Sequence, residues 1–126
     1  MRELPKNLND SEIQDILQSY KDWKFETKDG ISFFIFIREF KNFKEAFGFL
    51  TKLALVSEKL DHHAEIWNEY NKVRLKLFTH ETNSITTRDK DFITKLMDNQ
   101  NRFRSVSIKK AGVGNQLRLF DFSVKN

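Results

Sequence analysis

Apolar positions recur along this chain in two rhythms, one close to the helical period and one alternating, and the switches between them mark its elements. After Asn9-Asp10-Ser11, which offers a helix N-cap, Ile13, Ile16, Leu17 and Tyr20 follow at helical spacing. Glu12 and Asp15 occupy the first turns, where the helix dipole favours acids. Trp23 to Glu26 reads as a strand, and Asp29-Gly30 between apolar runs is a strong hairpin signal. The return strand, Ile31 to about Arg38, carries Phe and Ile on both faces, so neither face is plainly solvent. Asn42 can cap a second, long helix. Its stripe of Phe43, Ala46, Phe47, Leu50, Leu53, Ala54 and Leu60 is expected to be core, laid over a small sheet.

Alternation returns from Val73 to His80. Val73, Leu75, Leu77 and Thr79 share one face and Arg74, Lys76, Phe78 and His80 the other, so a regular strand carries His80 off the sheet away from the core. Ser84-Ile85-Thr86-Thr87 leads into a third helix. Asp89 and Asp91 lie in its first turn, and Phe92, Ile93, Leu96 and Met97 form its apolar side. Two further alternating stretches, Phe103 to Lys110 and Leu117 to Val124, joined by Ala111-Gly112-Val113-Gly114-Asn115, predict a terminal β-hairpin. The order helix, two strands, long helix, two strands, helix predicts an α+β fold. A four-stranded antiparallel sheet is expected to be covered on one face by helices in two layers. Residues 1–102 are expected to form the domain and residues 103–126 its hairpin extension.

Composition narrows the class. A chain of 126 residues is one domain by the length prior and can bury roughly two-thirds of its unfolded surface. Thirteen phenylalanines against one proline and four glycines favour a regular, well-packed fold with short loops. The absence of cysteine excludes disulfides and thiolate metal sites. The longest apolar run, Ile31 to Ile37, is too short for a bilayer, and the N-terminus lacks a secretory core, so a soluble, cytoplasmic protein is expected. The net charge of +4 permits weak attraction to phosphates. No basic run exceeds Lys109-Lys110, so the excess reads as solvation and no direct nucleic-acid binding is expected.

All three histidines, His62, His63 and His80, fall in one short window flanked by Glu58 and Asp89. Three readings compete. In the plain structural one, His62-His63 ends the long helix and His80 lies exposed on an outer strand. In a metal reading the three imidazoles bind zinc. Against it, adjacent side chains in extended backbone diverge and no His-x-x-x-His pair is present, so no metal is expected. In the third, imidazoles transfer protons near neutral pH while carboxylates orient their rings, which uses everything the window contains.

The run Glu58-Lys59-Leu60-Asp61-His62-His63, then Trp67, Tyr70-Asn71-Lys72-Val73, Leu77-Phe78-Thr79-His80, Thr86 and Asp89, resembles the pterin-4a-carbinolamine dehydratase family. Trp23 and Phe40-Lys41-Asn42-Phe43-Lys44-Glu45-Ala46 extend the resemblance, which covers about residues 8 to 100. It implies dehydration of 4a-hydroxytetrahydrobiopterin to quinonoid dihydrobiopterin and water, in tetrahydrobiopterin recycling, with no cofactor. It assigns His62 and His80 to acid–base work on the 4a-hydroxyl and His63 to holding the pterin ring. Glu58 would orient an imidazole from one helical turn before the pair, and Asp89 would orient His80. A homodimer or homotetramer is implied.

Two departures stand out. Ala64 replaces the proline usual after the histidine pair. Asn83-Ser84-Ile85 stands where the family favours glycine; asparagine tolerates positive φ, so that turn is expected to survive. Two alternatives stay open. One is a non-enzymatic dimerisation or transcription-cofactor module, using the helix from Asn42 to Lys59 and marked by exposed apolar positions there. The other is action on a different pterin.

Overall fold

The computed structural model describes residues 3–98, and in them the residues that break each rhythm are those that cap and turn the chain. Helix α1 spans Asp10–Ser19. The Asn9 side chain accepts the Glu12 N–H at 2.8 Å while Glu12 Oε1 accepts the Asn9 N–H at 2.9 Å, a reciprocal capping box. Strands β1 (Trp23–Lys28) and β2 (Ile31–Glu39) are joined by Asp29 and Gly30 at φ 56° and 79°. Positive φ at both central residues is what a type I′ turn demands and what Asp-Gly supplies. Helix α2, Phe43–Leu60, is capped by Asn42, whose side chain accepts the Glu45 N–H at 2.9 Å. Strands β3 (Glu65–Glu69) and β4 (Lys72–Leu77) follow, and helix α3 occupies residues 87–98.

The fold is α+β: one four-stranded sheet in the order β1-β2-β4-β3, every neighbouring pair antiparallel, with three helices. Register aligns Trp23 with Phe36 and Phe34 with Leu77, which gathers the apolar residues of three strands on one face. Trp23, Phe34, Phe36, Val73, Leu75 and Leu77 are buried there. Helix α2 lays Phe49 on Phe36, rings 5.2 Å apart and nearly parallel. Helix α3 adds Phe92, Ile93 and Leu96, each fully buried, and α1 adds Ile13 and Ile16. Burial of each such side chain stabilises by about 1.5–3 kcal/mol. No helix among the described residues is long and apolar enough to cross a membrane.

Two expectations need correction. The stripe assigned to the core of α2 is rotated: Ala46 and Leu53 are buried as expected, but with Phe49, Val56 and Ser57 as their neighbours. Phe43 and Phe47 are instead 46% and 53% exposed, and Ala54 is exposed. The helix is apolar on more than one side, so its period did not select the face; packing against the sheet does. The strand expected to run to His80 ends at Leu77. Thr79 makes only an isolated bridge with Ser84, and the chain reverses between them through Asn83 at φ 53°. Asparagine, tolerant of positive φ, takes the left-handed position, so the turn survives as expected. Thr79 is fully buried and His80 exposed as expected, but Phe78, expected on the outer face with His80, is buried too: past the end of β4 no strand pairing holds its ring outward. The C-terminal hairpin and the boundary at 102/103 lie outside the described residues.

Candidate active site

The site begins where α2 stops. Asp61 adopts a left-handed conformation (φ 52°, ψ 49°), and the Ser57 carbonyl accepts the N–H groups of both Asp61 and His62. This closure reverses the chain within one residue. His62 turns inward and is 7% exposed, whereas His63 points out, its Nε2 2.9 Å from Glu58 Oε2. The adjacent pair therefore separates into a buried and a solvated imidazole. The His63–Glu58 pair is open to water, with side-chain exposures of 58% and 80%, so it orients a ring more than it stabilises the fold.

The second half comes from the start of α3. Thr86 caps that helix, its Oγ1 accepting the Arg88 N–H at 3.2 Å. Three residues on, Asp89 Oδ2 accepts the Thr86 N–H at 2.9 Å, so the capping box fixes the carboxylate at the helix N-terminus. Thr79, pointing inward from beyond β4, donates its hydroxyl to the same oxygen at 2.8 Å. The other oxygen, Oδ1, lies 2.6 Å from His62 Nε2. Asp89 is wholly buried, and Phe92 on the next turn of α3 meets the His62 ring edge-on at 6.0 Å.

The N-terminal segment straps this corner down. Leu8 N–H donates to the Ile85 carbonyl at 3.1 Å and Thr87 N–H to the Lys6 carbonyl at 3.0 Å, on either side of an Asn7–Thr86 bridge. Arg88 ties Glu81 (2.9 Å) and the Glu3 carbonyl (2.7 Å) to the same turn. Backbone pairing, rather than long flexible side chains, thus sets where Asp89 stands.

The chemistry follows from counting protons. A carboxylate is acceptor-only, so the nitrogen 2.6 Å from Asp89 must carry a hydrogen. Flipping the ring would place a carbon there, which the distance forbids. As long as the Asp89 carboxylate faces it, His62 therefore carries its proton at Nε2, and Nδ1 is left as the atom that can give or take one. Asp89 fixes the orientation of that ring.

Of the five candidate residues, the fold joins His62 with Asp89 and His63 with Glu58. Asp89, expected to orient His80, orients His62 instead. The first turn of α3 meets the residue that follows the left-handed close of α2 through this contact. The His80 ring lies tilted at 38° against Phe78, centroids 4.3 Å apart, and its link to this corner is through the chain, as the residue after Thr79, whose hydroxyl reaches Asp89. Thr79 and Thr86 stood outside the candidate set. Their signal is the Thr-x-x-Asp spacing at a helix start, read together with the inward parity of Thr79. Among the described residues no group of three or more His, Cys, Asp or Glu side chains is arranged to hold a metal ion.

Comparison with known proteins agrees with this geometry. The family model for pterin 4 alpha carbinolamine dehydratase matches residues 6–99. A putative pterin-4-alpha-carbinolamine dehydratase of Sinorhizobium fredii is 39% identical over 92 residues, 73% of this chain and 86% of that protein. One from Prochlorococcus marinus is 57% identical over 51 residues, a stretch that spans 40% of this chain and about half (54%) of the relative. A crystal structure of a transcriptional coactivator/pterin dehydratase from Brucella melitensis superposes with a TM-score of 0.64 at 36% identity. The match covers 74% of this chain and 97% of that one. With the family model spanning most of the chain and the histidine corner intact, the chain belongs to the pterin-4a-carbinolamine dehydratase family of hydro-lyases.

Proposed function

We propose that the chain performs its family's dehydration on 4a-hydroxytetrahydrobiopterin, in tetrahydrobiopterin recycling, with His62, His63 and His80 as the working imidazoles. The observation that carries the reading is the buried Asp89–His62 contact of 2.6 Å, which commits one ring nitrogen and leaves the other for chemistry. The elimination needs two proton movements. An imidazolium protonates the 4a-hydroxyl, the C4a–O bond breaks and water leaves. The N5 proton passes to a neutral imidazole or to solvent, its bonding pair forming the C4a=N5 bond of the quinonoid product. His62, through Nδ1, and His80 share these acid–base roles; His63, oriented by Glu58, holds the ring. Assistance of this kind is worth about 10²–10⁴ in rate.

The test follows loss of 4a-hydroxytetrahydropterin by ultraviolet absorbance against the spontaneous rate. Wild type accelerates it, and His62→Ala and His80→Ala each lose at least about tenfold with circular dichroism unchanged. No acceleration by wild type moves the function to partner binding or to another pterin.

A second reading concerns assembly. Phe43 and Phe47, rings 5.4 Å apart, are about half exposed on the side of α2 turned from the sheet, and Leu55 is 68% exposed. Large apolar side chains grouped outside a core mark an association surface. Edge strands β1 and β3 offer a second one. The chain is therefore read as a homodimer or homotetramer, formed in part through α2. Light scattering at micromolar concentration reports at least a dimer, and Phe47→Lys lowers the mass without unfolding. A monomeric wild type refutes this.

A further inference from the structure

We propose that Thr79 and Thr86 are positioning residues, forming a one-way hydrogen-bond chain that locks Asp89 as an acceptor and so selects Nδ1 of His62 as the reacting nitrogen. The direction follows from the end that cannot reverse. The Arg88 N–H is a backbone donor, 3.2 Å from Thr86 Oγ1, so that oxygen accepts there and its proton must go elsewhere. Two acceptors are in reach: Thr79 Oγ1 at 2.7 Å and Asp89 Oδ2 at 3.5 Å. Thr79, whose single proton is committed to Asp89, can only accept, so it takes it. Thr79, having accepted, sends its own proton to Asp89 Oδ2 at 2.8 Å. The Thr86 N–H reaches the same oxygen at 2.9 Å.

Two donors on this side end on the carboxylate and the rest feed them, and Thr79, Thr86 and Asp89 are each wholly excluded from water. Water cannot substitute for a missing donor, and the carboxylate cannot rotate without abandoning two of them. Oδ2 is thus spent on the threonines and Oδ1 is presented to His62 Nε2. The polarity, set by a carboxylate that only accepts, runs from the start of α3 through two hydroxyls to Asp89 and on to an imidazole that follows the end of α2. Valine, with the shape of threonine and no hydroxyl, would break the chain at a defined link.

The catalytic consequence rests on the dehydratase reading; the tautomer does not, and two measurements separate them. Histidine ring nitrogens are observed by ¹⁵N NMR in the full chain, at successive pH values until the signals stop moving, alongside turnover of 4a-hydroxytetrahydropterin. Wild type shows His62 with the proton on Nε2 and Nδ1 bare. In Thr79→Val the carboxylate loses the hydroxyl that anchors Oδ2 and turns away from Nε2, so the two His62 signals draw together as the second tautomer is populated. In the same variant kcat falls about tenfold while KM changes by less than about twofold. Thr79→Ser, which keeps the hydroxyl, restores both. Should the valine variant not fold, Thr79→Ala removes the same hydroxyl without crowding and is read in the same way. Wild-type ring signals in Thr79→Val overturn the proposal, as does a Thr79→Ser variant as impaired as valine. The expected ring signals in a wild type without turnover support the tautomer lock and reject the dehydratase reading.

Discussion

Replacing Asp89 with asparagine changes one atom and leaves volume almost untouched, so its effect reads the proton arithmetic of the site. Three donors converge on the carboxylate: His62 Nε2 at 2.6 Å, the Thr79 hydroxyl at 2.8 Å and the Thr86 N–H at 2.9 Å. An amide offers one oxygen. If that oxygen serves the two threonines, the amide NH₂ faces a protonated Nε2, donor against donor in a site with no exposure. The imidazole escapes only by moving its proton to Nδ1, the atom assigned to catalysis. Activity therefore falls by most of the acid–base contribution, about 10²–10⁴ in kcat. Stability falls less. Hydrogen bonds to a charged group contribute about 1 kcal/mol more than neutral ones, so three of them predict a loss of about 3 kcal/mol. With a urea m-value of about 1.5 kcal/mol/M, the midpoint moves by about 2 M. Turnover of 4a-hydroxytetrahydropterin and urea unfolding by circular dichroism measure the two effects separately. An Asp89→Asn protein that folds and keeps wild-type kcat refutes the assignment of Nδ1.

Three further outcomes are expected from other parts of the molecule. Glu58→Gln, altering a pair largely open to water, leaves the urea midpoint unchanged within error and raises KM a few-fold, because it loosens the ring proposed to hold substrate; steady-state kinetics show the split. Asn83, at φ 53°, tolerates glycine, whereas Asn83→Ala costs about 1 kcal/mol for placing a Cβ in the left-handed region, read as a lower melting temperature. Burial, and then the neighbouring Asp98 carboxylate 3.1 Å away, push the Tyr20 phenol above its ordinary pKa of 10.0. The folded state thus favours the neutral phenol: this contribution is intact below pH 10.0 and is lost as pH rises through the higher folded value. Denaturation series from neutral to strongly alkaline pH show a stability decline in wild type whose Tyr20 component is missing in Tyr20→Phe.

Much of the fold was legible in the chain because local chemistry dictates it. Asp29-Gly30 can hardly be other than a tight hairpin turn, and Asn9 and Asn42 cap the helices they precede because their side chains accept the orphaned N–H groups. Alternation placed Val73, Leu75, Leu77 and Thr79 inward, though it fails at Phe78, which is buried just past the end of the strand. The set of imidazoles and carboxylates was also visible, by clustering and by family resemblance.

What the sequence could not do was choose among equivalent faces and partners. On α2, Phe43 and Phe47 are as apolar as Phe49 and Val56, and only the sheet decides which pair is buried. Asp89 stands nine positions from His80 along the chain and 27 from His62, yet it bonds the latter. The reason is that the left-handed closure at Asp61 and the capped start of α3 meet in space. Periodicity and caps are properties of short windows and are written into them. Which window meets which is settled by the packing of helices on one sheet, and that packing turns a buried histidine, a carboxylate and two threonines into one proton-ordering unit.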